Sequence, residues 1–235
     1  MSVFQKINVL DKGYVELLDM MPHPSLGIGA DLAVVNAARV SFLGESKGEE
    51  ADRKLLRYMM RNGHTSPFEQ VAFKFRVKAP LVVWWQWMRH RTWSFNSQSG
   101  RYTEFEHDDF YIPDAWRAQS TSNKQASDGA VSPEADEELN HLFNLAVIEG
   151  HDAYEYALKL GAAREMARMF LPAFAVYYTV VASVDAHNLM HFLRLRDHDH
   201  AQHEIREYAR ALKRIMREAM PWTMEEFEAQ KNPGG

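Results

Sequence analysis

Arg89-His90-Arg91 is followed, after seven residues, by Ser99-Gly100-Arg101. The string RHRTWSFNSQSGRY therefore gathers three guanidiniums, an imidazole and several small hydroxyl and amide groups directly behind the apolar run from Leu81 to Met88. Cations crowded behind a hydrophobic segment repel one another unless an anion neutralises them. Arg offers a planar fork of donors suited to phosphate, and Ser and Gly let the backbone approach it closely. Nearby acids are sparse, since Glu104 and Glu106 come only after the cluster, whereas Arg206 and Arg210 read as surface ion pairs. The pattern points to a phosphorylated small molecule held at the edge of a folded core.

A second polar concentration runs from Asp185 to His203 and holds His187, His191, His198, His200, His203, Arg194, Arg196, Asp197 and Asp199. On a helix, His187 and His191 share a face, and with Asp197 or Asp199 they could hold a divalent metal. No HExxH arrangement is present and the carboxylates alternate with His in a loop, so a hydrogen-bonded His-rich surface is the preferred reading and no metal is expected. Ser99 and His90 have the types of a nucleophile and base, but Asn96-Ser97-Gln98 precedes Ser99 where a nucleophile elbow would need its glycine and turn. A hydroxyl donating to phosphate explains Ser99 at lower cost. Of three clustered indoles, Trp84 and Trp85 fit a core stripe and Trp87 falls to its side, which favours a buried or subunit-facing helix over a ring-stacking surface.

These groups need a frame. The 235 residues can bury one substantial core, and 46% hydrophobic with 25% charged residues is ordinary for a globular chain. A formal net charge of −5 argues against nonspecific nucleic-acid binding, so a basic site must be local. The opening MSVFQKINVLDKG lacks the apolar core of a signal peptide, and no apolar run has membrane-spanning length; a cytoplasmic protein is expected. With no cysteine, thiolate nucleophiles, thiolate metal sites and disulfides are excluded, leaving other nucleophiles, His/carboxylate metals or an organic cofactor.

Val71 to Lys78 alternates apolar and basic residues and predicts a half-buried strand. Pro80 then suits the first turn of a helix with Leu81, Trp84, Trp85 and Met88 inward, and the basic cluster at its end complements the exposed carbonyls. Upstream, Tyr14 to Met20 reads as a strand, Asp31 caps a helix through Ala38, and a helix from Glu49 to Asn62 buries Leu55, Leu56 and Met59 before Gly63 stops it. Residues 117–132 are small and polar and read as a mobile surface loop. Pro133 opens a long helix with Leu139, Leu142, Phe143, Ala146, Gly150, Ala153, Tyr154 and Ala157 inward, ended by Gly161. Helical Arg164 to Phe170, a strand from Phe174 to Val184, an Asp185-capped helix to Arg196 and a helix from Ala201 to Met220 follow. Thr223 and Glu226 have capping-box spacing for a final turn or two, and 231–235 reads as a disordered tail. The expected fold is a single α+β domain over 1–235, with a small, largely antiparallel sheet packed by several helices.

At RHRTWSFNSQSGRY the chain resembles the flavin-dependent thymidylate synthases, whose signature is Arg-His-Arg, seven residues, then Ser. Ala37-Ala38-Arg39-Val40-Ser41-Phe42, Gly63-His64-Thr65-Ser66-Pro67-Phe68-Glu69, Val77-Lys78-Ala79-Pro80, Arg164-Glu165-Met166-Ala167-Arg168, and Leu195-Arg196 with His200-Ala201-Gln202 are similar to family segments in family order. The resemblance implies conversion of dUMP to dTMP, with 5,10-methylenetetrahydrofolate as carbon donor, NADPH as reductant and FAD as hydride carrier. It also implies a homotetramer whose active sites are shared between subunits. It agrees with the absence of cysteine, since the other class of thymidylate synthase attacks dUMP with a thiolate. Position by position, it implies dUMP contacts from Gln86 and Arg89 of one subunit, from Ser97, Gln98, Ser99, Gly100 and Arg101 of another, and from Arg164. Flavin contacts are implied at Ser66, Glu69, Arg89, His90, Arg91, Ser97 and His200. Arg196 matches the arginine that ionises the uracil ring, and is the implied catalytic residue. Asp185, His187 and His191 stand where some members carry Asn, Arg and Asn against the flavin, and Ser97 where some carry Glu.

Two other readings remain: a metal-dependent nucleotide phosphohydrolase built on the His and Asp residues near Asp197, and a noncatalytic nucleotide- or RNA-binding module built on the arginines. The acidic net charge and missing basic stripe count against the second.

Overall fold

The computed structural model describes residues 6–121 and 127–231. Its elements are β1 (Lys6–Val9), β2 (Gly13–Met21), α1 (Ala30–Arg39), α2 (Glu49–Arg61), β3 (Ala72–Pro80), α3 (Leu81–Trp87), β4 (Ser94–Ser97), β5 (Arg117–Gln119), β6 (Ser127–Ala130), α4 (Pro133–Lys159), α5 (Arg164–Ala167), β7 (Tyr177–Asp185), α6 (Ala186–Arg196), α7 (His203–Ala219) and α8 (Pro221–Lys231). Five strands form an antiparallel sheet in the order β1-β2-β3-β7-β4, with β3 paired to β7 from Ala72↔Asp185 to Pro80↔Tyr177. The mixed α+β architecture is the one the sequence predicts.

The alternation in β3 sets the layers. Phe73, Phe75 and Val77 are buried, while Lys74 and Arg76 are exposed and Arg76 pairs with Glu16 of β2. The buried side joins Val15, Leu17, Val180 and Ala182 to α1, α2, α3, α6, α7 and α8 in one large core. A second cluster of Phe105, Phe110, Val147, Tyr154, Leu171 and Val176 lies beneath α4.

Several helices bury other residues than their sequences predict. In α3 the stripe is Val83, Trp84 and Trp87; Trp85 and Met88 are exposed. Pro80 is the N-cap residue and not part of the first turn, and the buried stripe lies one position earlier than the pattern predicts. Trp87 packs 5.0 Å from Trp84 and 4.8 Å from Phe192 of α6, so packing against α6 and α7, invisible in a single-helix pattern, selects it. On α4 the buried residues are Val147, His151 and Tyr154, while Leu142, Leu145, Ala146 and Ile148 are exposed.

The segment 117–132 is not a featureless loop. β5 and β6 pair as a ribbon fastened to α4, where Trp116 donates through its backbone N–H to Asp136 (2.8 Å) and through Nε1 to Asn140 (3.0 Å). Residues 122–126 of that segment, and 232–235 of the expected tail, lie outside the described residues.

Asp31 does not cap its own helix. Gly29 holds that N-cap position, while the buried Asp31 carboxylate accepts from Trp222 N (2.8 Å), Thr223 N (3.0 Å) and Thr223 Oγ1 (2.6 Å) at the start of α8. Thr223 lies inside α8 and not at its N-cap, so no capping box joins it to Glu226; its hydroxyl donates to Asp31, and Glu226 pairs with Arg57. Asp31→Ala should cost about 2 kcal/mol, because donors at the start of α8, those of Thr223 buried, lose the acceptor they share. Urea unfolding measures it, and a loss below ~0.5 kcal/mol would mean that water caps α8 equally well.

Candidate active site

The apolar face of α3 fixes where the basic string emerges. Trp84 and Trp87 are fully buried, and the chain then tightens, with His90 N–H donating to Trp87 O at 2.9 Å. That turn buries His90 and leaves Arg89 and Arg91 exposed on either side of it. Neither arginine has an ion-pair partner among the described residues.

His90 meets the end of α6. Arg196 Nε donates to His90 Nε2 at 3.0 Å, and Arg196 Nη2 donates to Gln86 O at 3.1 Å. Accepting from a guanidinium requires a bare Nε2, so the ring is neutral with its proton on Nδ1. Burial, then the charge of Arg196, then His191, lower the His90 pKa from 6.5 to about 4. Arg196 is pulled below its usual value by burial and by the nearby Arg89. It stays charged, because a guanidinium resists deprotonation even when desolvated.

Gln86 connects this pair to the start of α7. Its Nε2 donates to Gln202 Oε1 (2.6 Å), and Gln202 Nε2 donates to Glu204 (2.7 Å). Glu204 also accepts from Tyr111 at 3.1 Å and pairs with Arg117 of β5. Burial alone would raise the Glu204 carboxyl, but hydrogen bonds from Arg117 and Gln202 outweigh it and hold it below the ordinary value. The network floors a cleft of about 660 Å³ lined by Trp116, Phe143, Phe174 and Arg206 among others. Neither the composition nor the spacing marked Tyr111, Arg117 and Glu204 as neighbours of the site. The one available signal was Gln202, inside the His200-Ala201-Gln202 segment.

The expected phosphate-binding residues form a second group. Their leading portion is strand β4, paired to β7 through Ser97↔Val180, and the next residue, Gln98, donates to Thr179 O at 2.8 Å. The chain then turns, with Tyr102 and Thr103 N–H groups donating to Ser99 O. Gly100 has no room for a side chain, since a Cβ there would lie 2.7 Å from the Phe105 ring. Ser99 Oγ accepts from Arg101 N–H (3.3 Å), and no hydrogen bond joins it to His90 among the described residues, so no nucleophile–base pair is assembled. Arg101 pairs with Glu165 (3.1 Å) and Arg164 with Glu104 (2.7 Å), both exposed.

Of the expected flavin contacts, Ser66 and Glu69 are exposed in a short 3-10 turn before β3. His187 lines a cavity of about 260 Å³ with His64, Thr65 and Arg194 between that turn and α6, a donor-rich setting suited to a pyrophosphate. His191 lies with its ring 6.0 Å from that of His90. Asp185 is engaged otherwise: its carboxylate caps α6, accepting from Asn188 N (2.8 Å) and Asn188 Nδ2 (2.7 Å). His200 is exposed in the turn before α7, its ring 4.9 Å from His198. The metal reading of this region has no geometry behind it. Asp197 pairs with Lys213 (3.0 Å) and Arg210 (3.7 Å), Asp199 with Arg206 (3.5 Å), and no three-ligand grouping forms there among the described residues.

Known proteins resemble this chain along most of its length. Residues 17–222 match the family model described as thymidylate synthase complementing protein. A flavin-dependent thymidylate synthase of Thermus thermophilus is 48% identical over 222 residues, 94% of this chain and 78% of that protein. One from Thermotoga neapolitana is 46% identical over 94% of each. Among solved structures, a UMP/dUMP methylase from Streptomyces cacaoi bound with 5-Br dUMP superposes with a TM-score of 0.82 at 36% identity, covering 95% of this chain and 97% of that one.

The His90 contact generates a pH prediction. Between 6.5 and about 4 the unfolded chain takes up a proton at His90 and the folded chain does not, so stability should fall as pH drops through that window. NMR of labelled histidine should find His90 neutral down to about pH 4, and Arg196→Ala should move its titration upward. A His90 titrating near 6.5 in the unaltered protein contradicts the buried contact.

Proposed function

The chain belongs to the flavin-dependent thymidylate synthases, and on that premise we propose that it methylates dUMP to dTMP, using bound FAD, 5,10-methylenetetrahydrofolate as carbon donor and NADPH as reductant. The observation that carries the reading is the pair of unpaired guanidiniums, Arg89 and Arg91, flanking a neutral, buried His90 that is bonded to Arg196. Such a group attracts an anionic, planar ligand and orients it at close range. The whole chain acts as one domain of a cytoplasmic homotetramer.

Each residue then has a task. Arg89, His90 and Arg91 face the flavin dinucleotide, helped by Ser66 and Glu69 from the turn, His187 and His191 from α6, and His200. Asp185 serves by fixing α6. Bound FAD supplies hydride; the protein supplies orientation and charge. Arg196 spends Nε and one Nη2 proton on His90 and Gln86, which leaves Nη1 to meet the uracil ring and stabilise negative charge at N3. Gln86 holds the ring from the same side, since its Nε2 is engaged by Gln202 and its Oε1 remains to accept. Ser97 through Arg101 and Arg164 receive the nucleotide, with Ser99, Gly100 and Arg101 on the phosphate. Because Arg101 and Arg164 are paired with Glu165 and Glu104, a phosphate arriving there displaces two exposed carboxylates, an inexpensive exchange. The two groups meet across a subunit boundary, so one chain contributes to more than one site.

The reading is tested by reducing the purified flavoprotein anaerobically with NADPH, with and without dUMP, then adding the folate and assaying dTMP. Formation of dTMP is the expected result; absence of flavin or of dTMP refutes it. Arg196→Ala should keep FAD, scored by absorbance, and lose nearly all dTMP formation. Unchanged turnover would contradict its role at the ring. Arg101→Ala should weaken dUMP binding roughly 30-fold, about 2 kcal/mol, with FAD affinity unchanged. Calorimetric titration of dUMP measures it, and loss of FAD with normal dUMP affinity reverses the assignment.

A further inference from the structure

His107, His151 and Asp152 lie outside every group described above, on the segment after the Ser99–Arg101 turn and on α4. One ligand-type atom from each falls within 4.8 Å of the others. The histidine rings are tilted by 37° with their centroids 3.7 Å apart, and His107 Nε2 is 4.0 Å from Asp152 Oδ1. His151 is 2% exposed, and its two nitrogens are in different states. Nε2 is bonded to Phe105 O at 2.9 Å, so it carries the proton, because a carbonyl only accepts. Nδ1 is therefore a bare lone pair, buried, with no hydrogen-bond partner among the described residues. An orphaned acceptor of this kind costs free energy unless something fills it.

A metal-ligating histidine ordinarily has this pattern: one nitrogen donates to a backbone carbonyl, which fixes the tautomer and aims the other nitrogen at the ion. We propose that His107, His151 and Asp152 form a divalent transition-metal site, with His151 Nδ1 as its buried anchor. Two imidazoles and one carboxylate suit a borderline ion such as Zn²⁺ and are poor ligands for Mg²⁺ or Ca²⁺, which take oxygen. In a tetrahedral site with bonds of about 2.0–2.1 Å the ligand atoms stand roughly 3.3 Å apart, so no pair need close by more than about 1.5 Å. The side chains of His107 and Asp152 are more than half exposed and free to rotate inward, while His151 stays fixed. Water completes the fourth position. The ion would pin the segment that follows the phosphate-binding turn onto α4, a structural role remote from Arg196.

The test is a calorimetric titration of the flavin-replete enzyme with Zn²⁺, repeated on His107→Ala and Asp152→Asn, whose side chains are exposed enough to leave folding intact. One Zn²⁺ per chain is expected, weakened at least tenfold in each variant, with Mg²⁺ giving no heat. His198→Ala, which alters the other histidine-rich stretch, should leave the titration unchanged. Absence of Zn²⁺ binding, equal affinity in the His107 and Asp152 variants, or loss of binding on altering His198 overturns the proposal.

Discussion

The contact between Arg196 and His90 is the constraint from which the site follows. It joins the end of α6 to the turn after α3, and it works only while His90 Nε2 is bare. Burial provides that condition, because a protonated imidazole beside a guanidinium in a half-dry pocket would face uncompensated repulsion. What covers His90 is the Phe192 ring, which packs on Trp87, and Trp87 in turn packs on Trp84 and Tyr208, so the electrostatics of the site rest on an aromatic cluster.

With His90 inward, Arg89 and Arg91 are turned outward, and neither forms an ion pair among the described residues. Arg89 also disfavours the charge on the half-buried Arg196, and an anion bound beside them relieves that effect. On the other side of the site the solution differs. Arg101 and Arg164 are matched with Glu165 and Glu104, exposed pairs of small net worth that a phosphate can replace. Gln86 is oriented in a third way, through Gln202 to a carboxylate that Arg117 and Gln202 keep ionised. Preorganisation is thus distributed between unpaired charge in one group, exchangeable pairs in another and a buried polar chain in the third.

Much of this was legible in the residues themselves. The alternation of β3, the apolar stripe of α7 at Ile205, Tyr208, Leu212, Ile215 and Met216, and the cap at Asp185 are local patterns, and each stands as read. Misreadings arise where a partner distant in the chain decides. Asp31 sits two residues into α1 and looks like its cap, yet α8, arriving far later in the chain, claims its carboxylate. Trp85 and Trp87 differ by two positions on a short helix, and only α6 and α7 determine which one is covered. Strand β4 carries one apolar residue in four, so it has no periodicity to detect; pairing with β7 alone makes it a strand.

The sequence by itself determined the chemistry available: arginines in a fixed spacing, no thiol, and a string whose family likeness extends along the chain. Residue types and spacing are properties of the chain and survive unfolding. Only the tertiary structure decided which arginines are left unpaired, which histidine is neutral and which amide is oriented. Those properties are set by burial and by neighbours a hundred or more residues away, as between Gln86 and Gln202 or His90 and Arg196. Desolvation is a property of the packed molecule, and no reading of spacing contains it.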